Sequence, residues 1–317
     1  MTQRHDPRIL VLRGGAIGDF ILTLPALQAL RSRWPRAHIE VIGYPHIAGL
    51  AVEAGIADKV VPLDRSDMAR FFAVDASIPE EQAGYVRSFD LAISYLYDPD
   101  ETVRRNFLAT GIRQAIYCNP RVTSGHAADH FMKALESLAI YPEGTVKPEI
   151  ALRPATVAAG RSVLARFGDR VVLLHPGSGG KAKRWPLECF MSLAGRIRRD
   201  TASAAVFALG EADDDLAARL KGAGEGDRMV TGLSLVSLAG VLRCVAGYVG
   251  NDSGVTHLAA AVGARVVALF GTTDPGVWGP RGGNVRVVRG ESGGVPDVAA
   301  IGVGEVFSAL SEVRSTS

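Results

Sequence analysis

An aspartate at the mouth of an apolar helix, just behind a glycine turn, is placed to act as a general base. In RGGAIGDFILTLP (residues 13–25) that aspartate is Asp19, preceded by Gly14, Gly15 and Gly18. The glycines permit positive φ and close backbone approach, and the helix behind them offers free N–H groups to an anion or a polar substrate. A carboxylate aimed into a cleft here can take a proton; the same residue can equally be the N-cap of a tight strand–helix turn. Pro25, which the spacing puts in the second helical turn, removes one hydrogen bond at a cost of about 3 kcal/mol and predicts a kink that aims the helix start. The turn is not G-x-G-x-x-G, and Glu40 lies inside the next strand instead of beyond it, so no nicotinamide site is legible.

Two more turns carry groups suited to phosphate. HPGSGGKAKRWP (175–186) leaves a buried strand through three glycines and Ser178, then presents Lys181, Lys183 and Arg184. Flexible backbone amides beside cations suit a diphosphate, although the G-x-x-x-x-G-K-[ST] spacing of a P-loop is absent. A solvated basic loop is the alternative. GYVGNDSGVTHLAAAVG (247–263) ends a strand in Asn-Asp-Ser-Gly and opens a small-residue helix. Asp252 and Ser253 fall at its N-terminus, where a hydroxyl and free N–H groups can hold a phosphate, with Gly254 behind them and His257 one turn on. Here too a plain cap and a packed histidine are the alternatives. Glu211, in ALGEADDD (208–215), stands just past a strand end, and the acids after it read as an acidic first helical turn. HAADH (126–130) spaces two histidines as metal ligands would be, but with no third ligand it reads as a coincidence of surface residues.

These turns need strands to carry them. Short Val-, Ile- and Leu-rich runs alternate with amphipathic stretches, the pattern of parallel sheets covered by helices on both faces. Strands are read near 8–13, 38–44, 59–63, 90–95 and 114–118, and a second series near 170–178, 205–210, 247–252 and 265–271. A stretch with three prolines (141–154) reads as the linker, followed by a helix over 155–168. The expected class is α/β, with two Rossmann-like parallel-sheet domains, residues 1–153 and 154–317, whose strand C-terminal ends face one another across a cleft. A closing helix near 302–313, with a polar tail after it, is expected to end the second domain or to pack back on the first.

Composition narrows the function. A chain of 317 residues with 47% hydrophobic content can bury two domain-sized cores, and a net charge of +2 leaves no basic surplus for general nucleic-acid binding. Phosphate chemistry must therefore be local. Cys118, Cys189 and Cys244 form no C-x-x-C pair, so a reducing cytoplasm fits better than a disulfide framework. No signal-peptide core is seen, and no apolar run approaches the roughly 20 residues that span a bilayer. A peripheral contact with the inner face of the cytoplasmic membrane stays open, with the arginines of RSRWPR (31–36) and Arg104–Arg105 as candidates for it.

Together, RGGAIGDFILTLPAL, HPGSGGKAKRWP and GNDSGVTHLAAAVGARVVALFGTTDPGVWGP (250–280) resemble the ADP-heptose:lipopolysaccharide heptosyltransferases, glycosyltransferase family 9, over most of the chain. The specific feature is a G-D-x-x-x-x-x-P stretch near the N-terminus paired with a late D-[ST]-G-x-x-H. The resemblance implies the GT-B fold and an inverting transfer of heptose from ADP-heptose to a sugar hydroxyl of a lipopolysaccharide inner-core acceptor. It implies Asp19 as the base, Ser178 and Lys183 on the phosphates, and Ser253, Gly254 and His257 completing that site. Asp252 would hold donor-side groups, and Glu211 would lie near the nucleoside. It implies no essential metal and no cofactor, since ADP-heptose is a co-substrate. Lys181 competes with Lys183 for the phosphate role, and the cysteine-bearing C-terminal segment of many relatives is missing from RGESGGVPDVAAIG (289–302). A relative using another nucleotide sugar for a surface glycan or protein, and a non-catalytic nucleotide-sugar binder, are the alternatives.

Overall fold

A computed structural model describes residues 6–315. The first unit runs β1 (Arg8–Arg13), α1 (Ile17–Arg33), β2 (His38–Gly43), α2 (Pro45–Glu53), β3 (Lys59–Pro62), α3 (Glu80–Arg87), β4 (Leu91–Ser94), α4 (Thr102–Ala109), β5 (Ala115–Tyr117) and α5 (Ala127–Met132). Its five strands are all parallel, in the order β3-β2-β1-β4-β5. The run Ile9, Leu10, Val11 and Leu12 is buried on both faces, which is why β1 shows no alternation of apolar and polar residues. Pro25 is buried in the third turn of α1, one turn deeper than expected, and the helix continues past it to Arg33.

The second unit runs α6 (Pro154–Leu164), β6 (Val171–His175), α7 (Leu187–Asp200), β7 (Ala204–Ala208), α8 (Asp214–Gly222), β8 (Met229–Val230), α9 (Leu235–Cys244), β9 (Gly247–Asn251), α10 (Gly254–Ala261), β10 (Val266–Phe270), α11 (Pro275–Trp278), β11 (Val285–Arg289), the small hairpin β12 (Glu291–Ser292) and β13 (Val295–Pro296), and α12 (Val303–Ser315). Its sheet is parallel in the order β11-β10-β9-β6-β7-β8. Sequence reading misses the two outer strands. β8 has only two residues, and β11 interleaves Arg286 and Arg289 with valines because an edge strand is half solvated.

The units divide between Val146 and Lys147, inside the proline-bearing stretch and ahead of the expected boundary at 153/154. The Ile150 N–H donates to the Ala261 carbonyl at 2.8 Å, which ties the segment before α6 to the second unit. Val306, Ala309, Leu310 and Val313 of α12 join the second unit's core with Phe190, Leu193 and Ile197 of α7. The apolar face of the closing helix is thus taken up in the second unit's core. The expected tail beyond Ser315 lies outside the described residues. Among those residues, no helix is long and apolar enough to cross a membrane.

Glu40 sits mid-strand in β2, paired in register with Leu10 and Lys59. Its buried carboxylate accepts from Tyr85 Oη at 2.8 Å and meets His38 Nε2 at 2.8 Å, and these partners hold it below the usual glutamate range although burial opposes them. It is a structural acid remote from the strand's C-terminal end, so it is not placed to read a ribose.

Helices α6 and α9 cross backbone to backbone. A Cβ on Gly160 would stand 2.2 Å from the Gly240 carbonyl, and one on Gly240 would stand 2.3 Å from the Thr156 carbonyl oxygen. Helix propensity alone would make Gly240→Ala stabilising by up to about 1 kcal/mol. Overpacking at the crossing reverses the sign, and the expected cost is about 1–3 kcal/mol in denaturant unfolding. A gain in stability would show that the crossing yields.

Candidate functional site

In both sheets the strand order reverses beside the first strand, between β1 and β4 and between β6 and β9, and ligands of open parallel sheets bind at the C-terminal ends of strands at such a point. Asp19 falls at the first of these places, and Ser178, Lys183, Asp252, Ser253, Gly254 and His257 fall at the second.

At the first, Ala16 is the N-cap of α1 and Asp19 is its third residue. Asp19 Oδ2 accepts the Ala16 N–H at 3.1 Å, so a capping role is real, though from inside the helix and not from the N-cap position. Oδ1 lies 3.8 Å from Nη2 of Arg13, and the Asp19 side chain is 36% exposed against 4% for Arg13. A carboxylate has about four lone-pair sites, so the cap leaves acceptor capacity for a substrate hydroxyl. Of the three glycines, only Gly15 adopts positive φ, at 94°, and a Cβ there would meet Asp19 Oδ2 at 3.0 Å. Gly14 sits against Leu63 and Leu96, and Gly18 is inside the helix. Asp19 lines a pocket of about 440 Å³ with Arg13, Gly15, Tyr44, Tyr97 and Arg121. A second pocket, of about 470 Å³, shares Leu96, Tyr97 and Arg121 with it and adds Arg104, Tyr117 and Cys118. The Arg121 guanidinium lies 4.1 Å over the Tyr97 ring. Burial pushes the Cys118 thiol up to about 11, which keeps it neutral.

At the second, the loop after β6 is joined to the loop after β9. Ser178 Oγ donates to the Asp252 carbonyl at 2.8 Å, and Lys183 Nζ donates to Asp252 Oδ2 at 2.7 Å. Lys181 is exposed on a 3₁₀ turn (Lys181–Lys183), so the structure separates the two lysines by environment. Ser253 caps α10, its hydroxyl accepting from the Thr256 N–H at 3.4 Å and lying 3.2 Å from the Thr256 hydroxyl. Gly254 is the first residue of α10, and His257, one turn on, is buried. Glu211 is exposed on a 3₁₀ turn (Glu211–Asp213) just past β7.

Three residues that sequence reading missed support these sites. Asn251, fully buried at the end of β9, accepts the Trp185 N–H at 2.9 Å and donates to the Pro176 carbonyl at 2.8 Å, clamping both ends of the basic loop. Asp213, read as one acid of a helical turn, is buried, accepts the Gly210 N–H at 3.0 Å and lies 3.7 Å from Arg184. Arg13, the cation that closes the apolar run Ile9–Leu12 of β1, is the third.

Other candidates are used locally. His126 is buried and caps α5 by accepting the Ala128 N–H at 3.2 Å, and His130 Nε2 donates to the Asn119 carbonyl at 2.7 Å, so HAADH is not a pair of surface residues. Among the described residues no group of three or more His, Cys, Asp or Glu is arranged to hold a metal. Arg31 is bound to the Ala37 carbonyl and Asp58, each at 2.7 Å, and Arg104 is paired with Glu101 at 2.9 Å.

Two Rossmann-like parallel-sheet units, each with polar groups gathered at its switch point, define the architecture of a GT-B glycosyltransferase. The family model for glycosyltransferase family 9 (heptosyltransferase) matches residues 116–300, and the chain belongs to that family. It is 32% identical over 309 residues to lipopolysaccharide heptosyltransferase 1 of Escherichia coli K12, covering 89% of this chain and 93% of that protein. Among solved structures, a glycosyl transferase family 9 protein from Veillonella parvula shares the fold at a TM-score of 0.81 and 21% identity, over 100% of this chain and 99% of that one. The E. coli ADP-heptose lps heptosyltransferase II does so at 0.79 and 18%, over 97% and 98%.

Asn251→Ala should leave the Trp185 N–H buried without a partner, at an expected cost of about 1–3 kcal/mol. Chemical unfolding followed by tryptophan fluorescence measures it; unchanged stability would mean that the clamp is dispensable.

Proposed function

We propose that the protein transfers heptose from ADP-heptose to a hydroxyl of a lipopolysaccharide inner-core acceptor, with inversion at the anomeric carbon. The observation that carries the donor half is the meeting of a cation, two hydroxyls and a helix N-terminus at the β6–β9 switch point, through Lys183, Ser178, Ser253 and Gly254. Such donors match a diphosphate, and in this reading they stabilise it as it leaves with the bonding electrons of the sugar C–O bond. His257 completes the group, Asp252 holds Lys183 and donor-side groups, and Glu211 lies toward the nucleoside. Lys183 takes the phosphate role in preference to Lys181, because its amine is already held at the strand ends by Asp252.

The acceptor half rests on Asp19. As the acceptor oxygen bonds to the anomeric carbon, its proton passes to the Asp19 carboxylate, and ADP departs from the opposite side of that carbon. Tyr44 and Tyr97, 36% and 48% exposed on the rim of the Asp19 pocket, offer ring faces to a sugar. Arg121 beside them supplies a cation for an acidic group on the acceptor. The reading needs neither metal nor cofactor, since fixed donors carry the charge that a metal would neutralise. With a lipid-linked acceptor, the enzyme would work at the inner face of the cytoplasmic membrane.

Asp19→Ala should abolish transfer while leaving ADP affinity within a few-fold of the parent, and normal turnover in that variant would sink the assignment of the base. Lys183→Ala should weaken ADP binding by about 1.5–3 kcal/mol, the loss of one charge-assisted contact. Calorimetry with ADP, UDP, GDP, dTDP and ADP-heptose measures this and tests the donor too: preference for another nucleotide would keep the transferase and overturn the donor.

A further inference from the structure

Arg13 closes the strand that leads into the Asp19 turn, and the bond-making and proton transfer proposed for this site leave it without a part. Its side chain is 4% exposed; Nε is buried without a hydrogen-bond partner, and the two terminal nitrogens carry the matches that offset burial of the charge. The matches are specific. Nη2 donates to the backbone carbonyl of Asp19 at 3.0 Å and Nη1 to the carbonyl of Tyr95 at 3.0 Å. Its carbon lies 4.6 Å over the Phe131 ring of α5. Tyr95 is the first residue beyond β4, so one planar group joins the first turn of α1 to the exit of the strand across the switch point.

We propose that Arg13 is a positioning residue for the transfer: by gripping the carbonyls of Asp19 and Tyr95 with a single fork, it fixes where the Asp19 carboxylate stands over the pocket lined by Tyr95, Leu96 and Tyr97. The proposal rests on the reading of Asp19 as the base. The fork matters because its donors are coplanar and rigid, whereas a lysine amine on a flexible stem reaches one carbonyl without fixing the other. The carboxylate is then located from two sides. The Ala16 N–H fixes Oδ2 locally, and Arg13 fixes the backbone that carries the side chain against the pocket wall.

The test uses the full chain with Arg13→Met, Arg13→Lys and Asp19→Asn, assayed with ADP-heptose and a heptose-free lipopolysaccharide core. A displacement of about 1 Å at a reacting group can cost about 10²-fold in rate. The expected result for Arg13→Met is a kcat lower by that order with KM for both substrates within about twofold, and for Arg13→Lys a kcat in between. Unchanged kcat in Arg13→Met overturns the proposal. So does a fall in kcat matched by a rise in acceptor KM and an equal loss of Tm in both arginine variants, since that pattern belongs to general loosening. Normal turnover in Asp19→Asn removes the base reading by itself, which distinguishes the two failures. A readout without substrate is the amide proton resonance of Ala16, which reports the hydrogen bond to Oδ2. It should move in Arg13→Met, and in Arg13→Lys if the methionine variant does not fold, toward its position in Asp19→Ala; an unmoved resonance overturns the proposal.

Discussion

Parallel pairing imposes the constraint on which each unit depends: every strand delivers its C-terminal residue to the same edge of its sheet. Where the chain order reverses, the connections from two neighbouring strands leave in opposite directions and open a crevice between them. The backbone groups that emerge there have no further ladder partners, so they must find side chains, water or ligand. Here side chains supply part of the answer. Arg13 takes the carbonyl of Tyr95 across the β1–β4 crevice, Ser178 takes the carbonyl of Asp252 across the β6–β9 crevice, and Asn251 ties Pro176 and Trp185 from the same strand end.

That satisfaction gives polar, glycine-rich loops a defined shape. HPGSGGKAKRWP lacks long regular structure of its own, yet Pro176 and Trp185 at its two ends are held by one fully buried asparagine. Trp185, itself buried, donates its indole N–H to the Ile301 carbonyl at 2.9 Å and anchors the loop to the segment before α12. The loop is therefore held at both ends and anchored by Trp185. The first unit uses a shorter device, a two-glycine turn whose only left-handed residue, Gly15, lets the chain enter α1 with the Asp19 carboxylate folded back on it.

Much of this frame is legible in the residues, for a physical reason. The continuous runs of β1, β6, β9 and β10 are long enough to need burial on both faces, and that need marks central parallel strands. β8 escapes because it is only two residues long and β11 because it is a half-solvated edge strand, and the linker boundary lies ahead of the expected one because the extended segment that includes Ile150 belongs with the second unit. At the sites, Asp19, Ser178, Lys183 and Ser253 stand out by type. Arg13, Asp213 and Asn251 do not, since their roles come from burial and from partners far along the chain. Nothing in ALGEADDD says that Asp213, the first of its three consecutive aspartates, is folded inward while Glu211 stays in solvent.

The two switch points share a device with the charges exchanged. In the first, a carboxylate 36% exposed stands 3.8 Å from a guanidinium 4% exposed; in the second, an ammonium 38% exposed stands 2.7 Å from a carboxylate 9% exposed. In each pair the buried member is also anchored by its own residue's backbone contacts or by hydrogen bonds to backbone carbonyls: Arg13 to Asp19 and Tyr95, and Asp252 through its carbonyl to Ser178 and its N–H to Leu269. A buried charge without a counter-charge is expensive, whereas the exposed partner can also turn to water, so the buried ion penalises loss of its neighbour more than the neighbour itself does. The exposed group is thus kept near its strand end without being enclosed. A surface ion pair would not do this, because screening and side-chain entropy leave such pairs with about 0–1 kcal/mol. Burial of one partner only lets a charged group be both held and accessible, and the fold provides that asymmetry twice by placing one residue at the strand end and its partner on the neighbouring loop or helix turn.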